Sequence, residues 1–197
     1  RQGLDLALGG KRDGFTWRLG YSLVDATFQS NFIVSAESNS SADVDGNILV
    51  RPGDRVPLIP RHTGRLVLDY EFNKQWDVGG TLIVASGSFL HGDENNANVA
   101  GGTNGEGAFV SPTGTGWIPS YAVVNLQGTY HWGRRVDIFT RLVNALNKEY
   151  ATAGFLTSNT FNPNGTFRFD PDTYTNENAV SPATPRAIWA GVRIRIN

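Results

Sequence analysis

Apolar and polar residues alternate one by one over seven stretches of the chain. Leu4, Leu6 and Leu8 interleave with Asp5, Ala7 and Gly9, and Phe15, Trp17, Leu19, Tyr21 and Leu23 with Thr16, Arg18, Gly20 and Ser22. The same rule runs through Leu66, Leu68, Tyr70 and Phe72, and through Trp76, Val78, Gly80, Leu82 and Val84. It returns in Ala122, Val124, Leu126, Gly128, Tyr130 and Trp132, in Val136, Ile138 and Leu142, and in Ile188, Ala190, Val192, Ile194 and Ile196. Successive side chains of a strand point to opposite faces, so each stretch has one oily face and one mixed or polar face. No apolar stripe at helical spacing extends beyond a turn or two. The pattern predicts seven strands, at about 2–9, 14–29, 62–72, 76–90, 120–132, 135–146 and 185–197. Several exceed the roughly 5–6 residues usual in globular sheets and reach the roughly 9–11 that a tilted membrane strand needs.

The connections alternate as well. Short polar turns are expected at Gly10-Lys11-Arg12-Asp13, Asn73-Lys74-Gln75 and Gly133-Arg134, and long irregular segments at 30–61, 91–119 and 147–184. Strict alternation puts every short turn on one edge of the sheet and every long loop on the other, the asymmetry of an up-and-down outer-membrane barrel. Loops longer than roughly 12–15 residues are uncommon in compact soluble domains. The oily-phase aromatics Phe15, Trp17, Tyr70, Phe72, Trp76, Tyr130 and Trp132 all lie beside a short turn. They are expected to form one belt at a membrane interface. The opposite phase carries Arg18, Arg65, Asp69, Glu71, Asp137, Arg141, Arg193 and Arg195. A charge facing lipid at the midplane costs roughly 2–4 kcal/mol, so these side chains are expected in a polar lumen.

Composition changes this picture little. Hydrophobic residues make up 40% of the 197, and no run approaches the roughly 18 needed for a spanning helix. The mean hydropathy of -0.27 resembles a soluble protein, but alternation averages membrane strands to mildly polar values. With 17 basic and 18 acidic residues the net charge is -1, which gives no nucleic-acid footprint. Cysteine is absent, which excludes disulfides and thiol chemistry. Methionine is absent too, and the chain opens Arg1-Gln2-Gly3. An odd number of strands does not close a bacterial barrel, and open edges are not tolerated in lipid. Further strands are therefore expected before Arg1, the whole of 1–197 being the C-terminal part of a larger barrel.

Four sets of segments, in order along nearly the whole chain, resemble the barrel of TonB-dependent outer-membrane receptors. RQGLDLALGG (1–10) with FTWRLGYSLVDATF (15–28) resembles a strand pair of that barrel, and RPGDRVPLIPRH (51–62) resembles the segment that leads into the next downward strand. RLVNALNKEYATAG (141–154) is similar to the NLFDK-Y element, and PRAIWAGVRIRI (185–196) resembles the final strand. Ala145 and Asn147 depart from the family's Leu and Asp, and Ile196 stands where the family has a terminal aromatic. The resemblance implies the last seven of about 22 antiparallel strands, with a plug domain and a TonB-contacting segment upstream. It implies energised import of a scarce ligand: a ferric siderophore, haem, cobalamin, or a plant-derived or carbohydrate compound. The expected partners are the TonB complex, the lipid bilayer of the bacterial outer membrane and a small-molecule ligand. Two other readings stay open, a passive porin-like or fatty-acid-type channel and a soluble β-sheet ligand-binding protein. Plug and TonB-contacting sequence upstream separates the first from transport, and detergent-dependent solubility separates the second.

Candidate chemistry is sparse. His62, His91 and His131 lack zinc spacing. Asp43-Val44-Asp45-Gly46-Asn47 resembles half a calcium loop without the downstream Glu, and reads as a turn, as do Asp170, Asp172 and Glu177. The glycines of 101–107 lack the Lys-Ser/Thr ending of a phosphate loop, so no cofactor is expected. A hydrolase needs a serine with a positioned histidine, and none lies near Ser22 in sequence, so no enzyme is expected. Loop residues are the candidates for ligand capture: Trp117, Tyr121, Phe155, Arg168, Phe169 and Tyr174, with Phe109, Phe161 and Phe167 beside them.

Overall fold

The computed structural model describes residues 1–101 and 114–196, without the side chain of Asp172. Phe109, Gly102–Gly107 and Asn197 lie outside the described residues. The elements in chain order are β1 (Gln2–Arg12), β2 (Phe15–Asp25), β3 (Phe32–Ser35), β4 (Asn47–Val50), β5 (His62–Asn73), β6 (Trp76–Ala85) and β7 (Ser88–Phe89). They continue with β8 (Trp117–Ile118), β9 (Tyr121–Trp132), β10 (Val136–Val143), β11 (Ala151–Asn159), a 3-10 turn (Pro171–Thr173), β12 (Thr175–Pro182) and β13 (Ala187–Ile194). Among these, β1, β2, β5, β6, β9, β10 and β13 form one seven-stranded antiparallel sheet in that order. The fold is all-β, and among the described residues no helix is long and apolar enough to cross a membrane.

Turn chemistry fixes where the strands end. The first hairpin turns on Asp13-Gly14, with φ of 49° and 81°; an Asp-Gly pair adopts this mirror-image turn readily, and it matches the twist of the flanking strands. Strand β1 therefore runs three residues further than the predicted 2–9, and the expected four-residue turn at 10–13 is corrected to this pair. At the second turn, Asn73 Oδ1 accepts from the amides of Gln75 (2.7 Å) and Trp76 (3.0 Å). A bulge between Glu71 and Asn73 takes up Phe72. Gly133, at φ 66°, starts the third turn.

Register keeps the two phases apart across the whole sheet. One row runs Gly10, Trp17, Leu68, Gly80, Leu126, Leu142, Ile188 through six consecutive pairings. The neighbouring row, on the other face, runs Lys11, Thr16, Asp69, Gly79, Gln127, Arg141, Trp189. A slip of one residue at any strand would exchange the rows.

The long connections are more ordered than the sequence suggests. They contain three two-stranded sheets: β3–β4, β7–β8 and β11–β12. The predicted strand 76–90 breaks at Ser86-Gly87, where Trp117 packs so close that a Cβ on Gly87 would lie 2.4 Å from its ring. Among the described residues, most buried apolar side chains belong to the long connections, including Ile48, Val50, Leu90, Ile118 and Leu156, with Ala85 and Val123 buried in the sheet itself, while Leu4, Leu6, Val78, Leu126 and Val192 in the sheet are exposed.

Candidate functional site: loop roof and inner wall

The roof is held by asparagines. Asn39 is fully buried; its Nδ2 donates to Gly92 O (2.8 Å), Asp93 Oδ1 (3.2 Å) and, at 3.4 Å, Asn95 Oδ1. Its Oδ1 accepts from the amide and hydroxyl of Ser41. Asn96 exchanges bonds with the backbone of Arg55 (2.6 and 3.1 Å), and Asn178 accepts from Gly116 N (3.0 Å). These contacts join all three long connections. Asparagine suits the role because one short side chain both donates and accepts. Asp93 is buried and its Oδ1 accepts from the amides of Ala97 and Asn98, while Oδ2 has no partner. Burial pushes its carboxyl up to about 6, against the lowering from those bonds. The Asp43 carboxylate accepts from the amides of Asp45 and Asn47 and closes the β3–β4 turn. In the last long connection the Glu177 carboxylate accepts from Asn159 Nδ2 (2.8 Å), and the Asp170 backbone carbonyl accepts from Thr173 N (3.1 Å).

The expected loop residues fall into three places rather than one. Trp117 packs edge-on against Phe89 (4.9 Å) and lines a cavity of about 790 Å³ with Thr115, Tyr150, Asn178 and Val180. Tyr121 begins β9 opposite Ala85, on the face of Arg65 and Arg141, with its ring 4.6 Å from Tyr150. Phe155 projects half-exposed from β11. Arg168, Phe169 and Tyr174 lie beyond it at the tip of the β11–β12 hairpin. There Phe161, Phe167 and Phe169 stack edge to face (6.0 and 5.3 Å), Phe169 being 91% exposed. Arg168 is tied down: Nη1 donates to Thr173 O (2.5 Å) and Thr175 Oγ1 (3.2 Å). Tyr174 is half-buried behind it. Both legs of this hairpin are gripped by Asn144, which is fully buried at φ 49°. It donates to Lys148 O (2.8 Å) and Thr184 O (3.1 Å) and accepts from Lys148 N (2.8 Å).

All the charged residues expected inside share the polar face. Arg18 pairs with Asp69 (2.9 Å), which also accepts from Gln127 (3.1 Å), and Lys11 with Glu71 (2.9 Å). Arg195 pairs with Asp137 (2.6 Å). Arg65 and Arg141 line one recess of about 240 Å³, and Arg141 and Arg193 another of about 440 Å³ with Phe139 and Trp189. Arg65, Arg141 and Arg193 make no ion pair among the described residues. Sequence reading missed one cluster here. His131, which has no zinc-like spacing to another histidine, bridges Asp77 (2.8 Å) and Asp137 (2.7 Å). The signal was present, because closing the 133–134 turn puts His131 opposite Asp137.

Phe15, Trp17, Tyr70, Trp76, Tyr130 and Trp132 share the apolar face near the short turns, and Phe72 stands at the bulge. Trp76 and Tyr130 are in ring contact at 4.7 Å, and Tyr70 and Phe72 at 6.3 Å.

The family model for TonB dependent receptor-like β-barrels matches residues 1–147. The chain belongs to the TonB-dependent receptor β-barrel family. Solved structures agree on the fold. The siderophore receptor PiuA from Acinetobacter baumannii superposes with a TM-score of 0.63 at 17% identity, over 98% of this chain and 21% of that one. The ferric-catecholate import receptor Fiu from E. coli K12, closed form, gives 0.58 at 17%, over 98% and 20%. The unliganded ferric citrate transporter FecA gives 0.53 at 18%, over 92% and 21%. The chain thus spans about a fifth of the length of these family members. No curated protein sequence matches it closely enough to count as a relative.

Proposed function

We propose that this chain is part of the wall and mouth of an outer-membrane TonB-dependent receptor that imports a scarce ligand such as a ferric siderophore, with energy delivered by TonB. The observation that carries the reading is the phase-locked sheet: one face apolar from Leu4 to Ile194, the other bearing Arg18, Arg65, Asp69, Glu71, Arg141, Arg193 and Arg195. The apolar face meets acyl chains, and the belt from Phe15 to Trp132 meets the headgroups on the short-turn side. Edge strands β1 and β13 pair with further strands of the wall, since lipid tolerates no open edge. The arginines without ion pairs, Arg65, Arg141 and Arg193, face a plug domain carried elsewhere in the protein. Trp117, Tyr121, Phe155, Arg168, Phe169 and Tyr174 take part in capture at the outer mouth. The work is binding and transport, without catalysis or a resident cofactor.

The test uses the full receptor in cells lacking their own receptor for the same iron chelate. Growth under iron limitation on a ferric siderophore is expected to need both this receptor and an intact TonB complex. Phe169→Ala with Phe155→Ala is expected to weaken chelate binding about tenfold without loss of assembled protein, roughly 1.4 kcal/mol. Uptake that persists without TonB, proportional to concentration, would show a passive channel instead.

A further inference from the structure

Among the described residues, the end of the apolar face away from the aromatic belt carries a polar patch. We propose that this patch binds the phosphorylated headgroup of an outer-leaflet lipid. The inference rests on the membrane placement proposed above. Tyr21, His62, Ser86, Ser120 and Lys148 surround a groove of about 550 Å³. Tyr21 belongs to the apolar phase, in the row Leu6, Tyr21, Gly64, Val84, Ala122. His62 pairs with Leu23, and Ser86 and Ser120 continue the same phase beyond Val84 and Ala122.

Position decides what the patch meets. Trp76 in the belt and Ser86 are ten residues apart on one chain segment, about 33 Å of extended chain. At the tilt of membrane strands this is about 25 Å of height, the thickness of the apolar band. If Trp76 lies at the inner interface, the Ser86 row lies at the outer one, where headgroups begin.

The chemistry fits an anion with a fatty tail. Lys148 is exposed and makes no ion pair among the described residues. Asp25, a carboxylate in the apolar phase, is occupied by Arg61 (3.9 Å) and Gln2 (3.3 Å). Glu149 is also exposed, one residue beyond Lys148. Tyr21 Oη and His62 Nδ1 are 2.8 Å apart. With the phenol donating to Nδ1, Nε2 carries the ring proton and is the nitrogen left to donate. An ammonium, a ring N–H and the Ser120 hydroxyl thus supply donors for phosphate oxygens. Below them the floor is small: Gly64 and Ala122 flank Val84, and a Cβ on Gly64 would lie 2.8 Å from Val84 Cγ2. Val84 fills the space over Gly64, so the strip is a low apolar surface along which an acyl chain can lie.

The experiment is native mass spectrometry of the full receptor, purified from outer membranes in mild detergent and titrated with diphosphorylated lipid A and with its dephosphorylated form. Wild type is expected to retain the phosphorylated lipid about tenfold more tightly than Lys148→Glu or His62→Ala, the worth of one charge-assisted contact. Equal retention by wild type and both variants, or equal retention of the dephosphorylated form, overturns the proposal and leaves the transport reading standing. Recovery of the receptor as a water-soluble protein overturns the membrane placement itself.

Discussion

The sheet and the loop roof are built from one chain but place their apolar side chains in opposite ways. In the roof, Ile48, Val50 and Leu90 are fully enclosed and Asn39, Asp93 and Asn144 are buried with them. In the sheet, Leu6, Leu68, Val78 and Leu126 stand exposed, and the buried charge is Asp137 on the polar face. The roof follows the rule for a protein in water, where apolar groups hide and most buried polar groups are paired, Asp93 Oδ2 being an exception. The sheet follows the rule for a wall with oil outside and water within. The same residue type therefore has a different energetic meaning in each region, and substitution can expose it.

A sharp contrast in assembly is expected from adjacent residues of β9. Under the proposed membrane placement, Leu126→Arg puts a charge into the bilayer at about 2–4 kcal/mol, whereas Gln127→Arg adds one to a face already carrying arginines. Assembled receptor, scored by heat-modifiable gel mobility, should fall sharply for the first and hold for the second. Equal yields would erase the distinction between the faces.

Truncation should reverse the order. Ile48→Ala empties enclosed space in the roof, and such deletions cost about 2–5 kcal/mol. Under the same proposed placement, Leu126→Ala removes contacts that lipid tails would replace, since they are as apolar as leucine. Hydrogen exchange should show protection lost over 32–50 in the first variant, and little change in the sheet in either.

The smallest effect is one of pH. Asp93 binds its proton more tightly in the folded roof, at about 6, than in an open chain at 3.8. The roof is then most stable below pH 4, loses stability as pH rises through that window, and levels off above it. Between pH 7.5 and 5 the gain should be about 1–2 kcal/mol. Exchange rates at 36–48, corrected for intrinsic pH dependence, should show it, and Asp93→Asn should remove it.

Much of the wall was legible because period-2 alternation is a local signal. Trp17, Leu68, Leu126 and Ile188 announce their phase without knowledge of their partners, and the short turns then set the register. What escaped depends on contacts that cross the chain. The β11–β12 pairing joins Phe155 to Ala179 and Leu156 to Asn178, over a stretch whose composition reads as loop. The Asn39 cluster draws on residues 53 to 56 positions away. Strand ends also shifted, because Asp13-Gly14 and the bulge at Phe72 act at single residues. The proposed capture residues were recognisable as aromatic and loop-borne, but their separation into a cavity wall, a strand edge and a hairpin tip was not.

The hairpin is clamped at two heights: at its base by Asn144, and midway by Leu156 N donating to His91 O (2.8 Å) and Gly116 N donating to Asn178 Oδ1 (3.0 Å). One amide side chain grips both legs at their base, and the aromatic tip stands about nine residues further out, roughly 30 Å of strand. Movement is therefore left to the part beyond Asn159 and Thr175, where a tilt of about 10° over roughly 10 Å shifts a ring by about 2 Å, so the rim can adapt to what it touches without loosening its base.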